Sequence, residues 1–338
     1  MAAGIDAVAT HVPEHVLSNE ALAAVFPSWS ADKIYEKTGI RSRHIAAPGE
    51  TASDLAFEAA RKLFASGACD PAEIDFLILC TQASDYVLPT SACLLQSRLG
   101  LRREVGALDV NLGCSGFVYC LSLAAGLIAA GAAHKVLLLT ADTYSKYIHE
   151  QDKSVRTLFG DGAAATLISA RDESDSARIG PFVFGTDGAG ANDLIVEAGG
   201  FRTPRCEETA REAVDSSGNV RAPDNLYMNG GNVMNFTLRE VPRTFRRLLD
   251  DSGVSPDEVD HVVLHQANKF MLDTLQKKLG LPSEKVPRRF EDVGNTVSST
   301  IPFVLESLNE SGQTPPGTRI MLIGFGVGLS WAGASLVC

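Results

Sequence analysis

The feature that most constrains this chain is that it repeats itself. Residues 67–83, GACDPAEIDFLILCTQA, resemble residues 253–267, GVSPDEVDHVVLHQA. Each reads as a glycine closing a helix, a proline turn and a β-rich strand. The likeness continues in step: QSRLGL at 96–101 answers QKKLGL at 276–281, and KVLLLTAD at 135–142 answers RIMLIGFG at 319–326. Two copies of one alternating strand and helix unit imply mostly parallel sheets covered by helices, an α/β fold. At 338 residues the chain has the length for two packed halves, taken as 1–178 and 179–338. Helices are expected over 51–66, 115–131, 231–251, 268–280 and 296–311.

The register of the repeat has a chemical consequence. Cys114 follows the apolar run 105–110 in the first copy, and Asn295 follows 286–293 in the second. His265 ends the strand that answers 73–80. Halves packed about a pseudo-twofold axis would bring these three side chains together at strand ends, where α/β folds bind ligands.

Each residue also has a plainer reading. Cys114 lies in NLGCSGF at a strand-to-helix corner, where helix N–H groups would lower the pKa of a thiol and make it nucleophilic. Gly113 and Gly116 would let the chain turn and a substrate carbonyl approach. An isolated apolar-flanked cysteine is more often a small core residue. His265 in VVLHQAN could be a core histidine satisfied by a carbonyl, and Asn295 in GNTVSST could be an N-cap. Their equivalent places in the repeat favour function. The glycine-rich bend in IGFGVGLSWAGASLV, 323–337, is not a dinucleotide site, because a strand rather than a helix follows the glycines. Its main-chain N–H groups suit an oxyanion.

Composition narrows the remaining choices. A formal net charge of −11 argues against nucleic acid as a partner, which requires a basic surface. The seven cysteines are odd in number and form no CxxC pair, so free thiols in a reducing cytosol are expected, with no disulfide framework and no metal. The N-terminus has no basic and apolar export signal, which also points to the cytoplasm. Residues 110–133 carry no charge and are long enough to cross a bilayer, yet they lie between strand-like runs. A helix buried in a large core is expected there, not a membrane span.

TGIRSRHIA at 38–46, GCSGF at 113–117, FGDGAAA at 159–165, HQAN at 265–268, GNT at 294–296 and GFGVGLSWA at 324–332 occur in an order that resembles the β-ketoacyl-[acyl-carrier-protein] synthase III family of the thiolase superfamily. The resemblance covers essentially the whole chain. It implies a five-layered αβαβα sandwich of two similar halves and a decarboxylative Claisen condensation of an acyl-CoA primer with malonyl-carrier protein. Cys114 would carry the acyl group, and His265 and Asn295 would stabilise the enolate. The amides of Cys114 and Val327 would form the oxyanion hole, although the family commonly has glycine at the latter position. No cofactor beyond the substrates is implied, and the expected assembly is a homodimer.

Departures from the family concern substrate. Lys33 and Lys37 stand where a Trp and an Arg usually hold CoA, and Asn235 and Phe270 replace two further basic positions. With Asn268 these are the expected substrate-binding residues. Leu88 stands where a Phe often reaches across the dimer into the acyl pocket. The Gly- and charge-rich connection 189–225 would either cap the tunnel or be a solvated insertion. The acidic acyl carrier protein would dock on the basic segment containing Gln266, Lys269, Lys277 and Lys278. A specialised homologue using another donor or acceptor, including acyl transfer without decarboxylation, is the alternative within the family. A papain-like thiol hydrolase shares the Cys, His, Asn order but has a CGSCW-like context that this chain lacks. A non-catalytic relative would have lost Cys114 first.

Overall fold

The computed structural model describes residues 1–172 and 175–338. The first sheet contains β1 (Ala2–His11), β2 (Phe76–Cys80), β3 (Gly106–Val110), β4 (Lys135–Asp142) and β5 (Gly162–Arg171), in the order β1-β5-β4-β2-β3. β2 runs parallel to both β3 and β4, while β5 is antiparallel to β4 and β1. The second sheet contains β6 (Arg178–Thr186), β7 (His261–Leu264), β8 (Arg319–Gly326) and β9 (Ser330–Val337), in the order β7-β8-β9-β6. β7 and β8 are parallel, and β9 is antiparallel to its two neighbours. Strand for strand, β6, β9, β8 and β7 answer β1, β5, β4 and β2.

β3 has no counterpart. Residues 286–293, VPRRFEDV, pair with no strand, and the segment is instead pinned by the Arg289 N–H on the Gln266 side-chain oxygen. Pro287 cannot donate to a ladder, and four charged residues in a row of eight cannot alternate between a buried face and a wet one.

The main helices are α1 (Ala31–Thr38), α2 (Ala52–Ala65), α3 (Ser91–Arg98), α4 (Gly116–Ala129), α5 (Gly230–Ser252), α6 (Lys269–Leu279) and α7 (Thr300–Glu310). Local chemistry sets their ends. Thr51 and Asp54 close a capping box on α2, the Asn268 side chain accepts the Met271 N–H to start α6, and Gly253 ends α5 at φ 64°. α2 and α3 cover the outer face of the first sheet, and α5 covers the second with α6 packed beside it. α4 and α7 lie between the sheets, completing five layers.

α4 explains the uncharged stretch. Phe117, Val118, Leu121, Ala124 and Ile128 are buried between strands of both sheets, each large side chain contributing about 1.5–3 kcal/mol. Among the described residues no helix is long and apolar enough to cross a membrane. The corner ahead of α7 is tied to the first half through a bridge between Asn295 and Phe159, which lies just ahead of β5. The Asn295 N–H donates to Leu158 O at 2.9 Å, and the Gly160 N–H donates to Asn295 O at 3.0 Å.

Candidate active site

Cys114 sits in the corner between β3 and α4, only 4% exposed. The main-chain N–H groups of Cys114 and Val327, expected as an oxyanion hole, favour the ionised form of the thiol. The corner packs closely on β8. A Cβ on Gly326 would fall 2.9 Å from the Cys114 sulfur, and one on Gly324 would fall 2.7 Å from the Cys114 carbonyl oxygen.

The glycines beside Cys114 are also closely packed. A Cβ on Gly116 would meet the Cys80 sulfur at 2.3 Å, and one on Gly113 would meet Gln82 Oε1 at 2.5 Å. Gly116 is small because the core closes on it, whereas Gly113 lies against Gln82, Val327 and Tyr144, which line a larger pocket. The expected lowering of the thiol pKa is overturned. α4 begins at Gly116, two residues beyond Cys114, and burial pushes the thiol up to about 12. The charge of Asp142 adds to the rise, while the two amides oppose it. The resting nucleophile is therefore a protonated thiol.

His265 follows β7, and its N–H donates to Ile323 O at 2.9 Å. Its ring stands edge-on to Phe325, with centroids 5.3 Å apart. Nδ1 lies 2.7 Å from the Thr300 hydroxyl, and burial drives the imidazole down to about 3, so it is neutral at any ordinary pH. Asn295 Oδ1 accepts the Val297 N–H at 2.9 Å, which turns its Nδ2 towards His265 Nε2, 3.5 Å away. A Thr300 proton given to Nδ1 leaves the ring proton on Nε2, and two donors then face one point.

Cys114, His265 and Asn295 line one cavity of about 80 Å³, together with Leu158, Phe159, Met228, Met271 and Phe325. Leu194 forms part of its wall and also lines a second pocket of about 960 Å³ that reaches Val327, Tyr144 and Tyr147. Ala191 to Arg205 supply much of that second wall, which favours the pocket-capping reading of 189–225 over a solvated insertion. The connection is tied down by its strand Leu194–Val196 pairing with Leu226–Met228 and by Arg221 on Asp152 and Asp215.

The expected substrate residues are dispersed. Asn268 lines the small cavity while capping α6. Lys33 and Lys37 lie on α1, which packs on α6, with ammonium groups 5.8 and 5.5 Å from the ring centre of Trp29. Trp29 was not singled out in the sequence. The only local sign of it was an aromatic residue just before the Ser30 cap, and it restores an aromatic surface beside the lysines. Asn235 and Phe270 are exposed and line neither cavity. Leu88, 79% exposed, also lines neither, although Val87 borders the larger pocket.

The docking expectation needs one correction. Gln266 is 0% exposed, its amide donating to Leu264 O and accepting from Arg289 N–H, so it braces the segment from within. Lys277 and Lys278 are exposed in the last turn of α6, and Lys269 pairs with Asp273. Arg43, from the TGIRSRHIA stretch, is likewise structural. It is fully buried, reaching Leu17 O, Asn19 Oδ1 and Thr157 O, and lies against Gly160 and Gly294. Among the described residues no three His, Cys, Asp or Glu side chains gather as a metal site.

The models of the 3-oxoacyl-[acyl-carrier-protein] synthase III family match residues 108–188, and those of its C-terminal part match 249–338. The chain is 36% identical over 338 residues to a β-ketoacyl-[acyl-carrier-protein] synthase III of Lactococcus lactis, covering 98% of both chains. A solved 3-oxoacyl-(acyl-carrier-protein) synthase III, 60% identical, superposes with a TM-score of 0.98 over 100% of both chains. A 3-oxoacyl-(acyl-carrier protein) synthase from Burkholderia xenovorans, 37% identical, gives a TM-score of 0.91 over 100% of this chain and 94% of its own. At 22% identity, Xanthomonas campestris OleA shares the fold, with a TM-score of 0.84 over 100% of this chain and 97% of its own. The chain belongs to the 3-oxoacyl-[acyl-carrier-protein] synthase III family and is an acyltransferase on that family's thiolase-like fold.

Proposed function

We propose that this chain joins an acyl-CoA primer to malonyl-[acyl-carrier protein], releasing CO₂ and giving a β-ketoacyl product, with Cys114, His265 and Asn295 as the catalytic residues. Cys114 and the His265 and Asn295 donors share one small cavity, with Val327 at the adjoining larger pocket, and this arrangement carries the reading.

The Cys114 sulfur attacks the thioester carbonyl, and the developing oxyanion takes the two amide N–H groups. Collapse breaks the bond to CoA, which leaves with the thiol proton, and the acyl group stays on Cys114. The malonyl thioester oxygen then lies between His265 Nε2–H and Asn295 Nδ2–H. The bond to its carboxylate breaks, CO₂ departs, and the electron pair becomes an enolate held by those donors. Its carbon attacks the acyl carbonyl, a carbon–carbon bond forms, and the bond to sulfur breaks. Each oxyanion donor of this kind is worth about 3 kcal/mol. The neutral state of His265 suits this role, since an imidazole buried at this depth does not compete for the malonyl carboxylate as a cation.

The acyl chain extends into the larger pocket, CoA approaches past Lys33, Lys37 and Trp29, and carrier protein meets Lys269, Lys277 and Lys278. The exposed tip at Tyr86, Val87 and Leu88 fits the interface of a homodimer. The reaction needs no cofactor beyond its substrates, and the protein works in the cytoplasm.

Intact-mass measurement after incubation with a panel of acyl-CoAs tests the reading. One acyl adduct that disappears in Cys114→Ala is expected, followed by CO₂ release when malonyl-carrier protein is added. Product formed without malonyl would replace condensation with simple transfer, and no adduct from any donor would sink the assignment.

A further inference from the structure

The loop that carries Asn295 contains a conformation that it cannot hold alone. Val297 adopts φ 55°, in the left-handed region, where a β-branched side chain crowds its own backbone. Such residues cost about 1–3 kcal/mol and persist only where surrounding groups over-determine them. Here the strained residue matters directly, because its N–H holds Asn295 Oδ1 and so aims Asn295 Nδ2 at His265.

The next residue is gripped from the other half of the molecule. Asp142, at the end of β4, is 0% exposed and has no ion-pair partner among the described residues. Its Oδ2 accepts both the hydroxyl and the N–H of Ser298, the latter at 3.3 Å. Its Oδ1 accepts the Gln82 N–H at 2.9 Å. All three partners donate, so the site demands a group that only accepts. One residue further on, the Ser299 hydroxyl donates to Thr140 O at 3.1 Å, in the same strand.

We propose that Asp142 is a positioning residue, which clamps Ser298 so that Val297 stays left-handed and Asn295 stays aimed at the malonyl thioester. The chain of contacts runs from β4 through Ser298 and the Val297 N–H to Asn295, and it joins the half carrying the nucleophile to the half carrying the enolate donors. The proposal rests on the roles given above to Cys114, His265 and Asn295. It separates two half-reactions: acylation uses Cys114 and its amides, whereas decarboxylation also needs the Asn295 amide.

The test measures Cys114 acylation by intact mass and CO₂ release from malonyl-carrier protein separately, in the full chain. Asp142→Asn, which places an N–H₂ against donors, is expected to slow CO₂ release at least tenfold more than acylation, with KM for the malonyl substrate nearly unchanged. Ser298→Ala should show the same asymmetry more weakly and decides the matter if Asp142→Asn does not fold. Val297→Gly, which removes the steric cost, should restore part of the CO₂ release in either background. Equal losses in both half-reactions, or no recovery with Val297→Gly, would overturn the clamp. Failure of the underlying assignment looks different: wild-type protein would not be acylated at Cys114, or Asn295→Ala would release CO₂ undiminished.

Discussion

The Thr300 hydroxyl lies 2.7 Å from His265 Nδ1 and 3.1 Å from Val297 O, and it has one proton to give. Which of the two receives it decides whether Nε2 of the histidine can donate into the cavity. Thr300→Val keeps the shape and removes the choice. A buried polar group left without a partner costs about 1–3 kcal/mol, so CO₂ release should fall about 5- to 150-fold while Cys114 is still acylated. Thr300→Ser should retain most of the activity. Equal rates for the valine variant and wild type would remove Thr300 from the site.

Burial holds His265 near 3, well below its ordinary value, because the charged form has no stabilising partner there. The neutral ring therefore persists as pH falls, and His265 should impose no acid limb on malonyl decarboxylation between pH 8 and pH 5. An imidazole of ordinary pKa would lose about 30-fold at pH 5. The sign for stability is opposite. The unfolded chain takes up a proton at this histidine below about pH 6.5 and the folded chain does not, so this group lowers stability as pH falls. His265→Gln should flatten that part of the difference in a pH series of Tm values.

Gly326, in β8, lies directly against the Cys114 side chain. A methyl group there would sit 2.8 Å from the Cys114 Cβ and 2.9 Å from its sulfur. Gly326→Ala must move either the nucleophile or the Val327 amide, and acylation should fall at least 100-fold by intact-mass kinetics. Overpacking of this kind costs about 1–3 kcal/mol, and so a lower Tm should accompany the loss. Unchanged acylation would mean that the corner is softer than its packing implies.

The three central residues were legible because a duplicated chain places equivalent corners together, and that logic needs only register. Cys114 and Asn295 follow from it directly, and His265 follows from the end of the answering strand. The missing counterpart of β3 could be glimpsed in the proline and charges of VPRRFEDV, but the repeat suggested otherwise. Gln266 and the thiol pKa were misread for one reason. Both depend on how completely neighbouring elements exclude water, and a local motif carries no record of that. Asp142 and Thr300 were invisible for a related reason. Their partners lie 156 and 35 residues away, and neither side chain belongs to a spacing that any period would expose.

Leu194 stands between the small cavity at Cys114 and the larger pocket walled by the 189–225 connection. Chemistry and substrate fit are thus written in different parts of the chain. Strand ends and buried loops fix the reacting groups, whereas a surface excursion with small residues such as Ala191, Ala198, Gly199 and Gly200 shapes the larger pocket proposed to take the acyl tail. These small residues line the larger pocket and not the cavity shared by Cys114, His265 and Asn295, so exchanges there act on the space beside the reacting groups. Descendants of this chain can therefore change what they elongate while keeping how they do it.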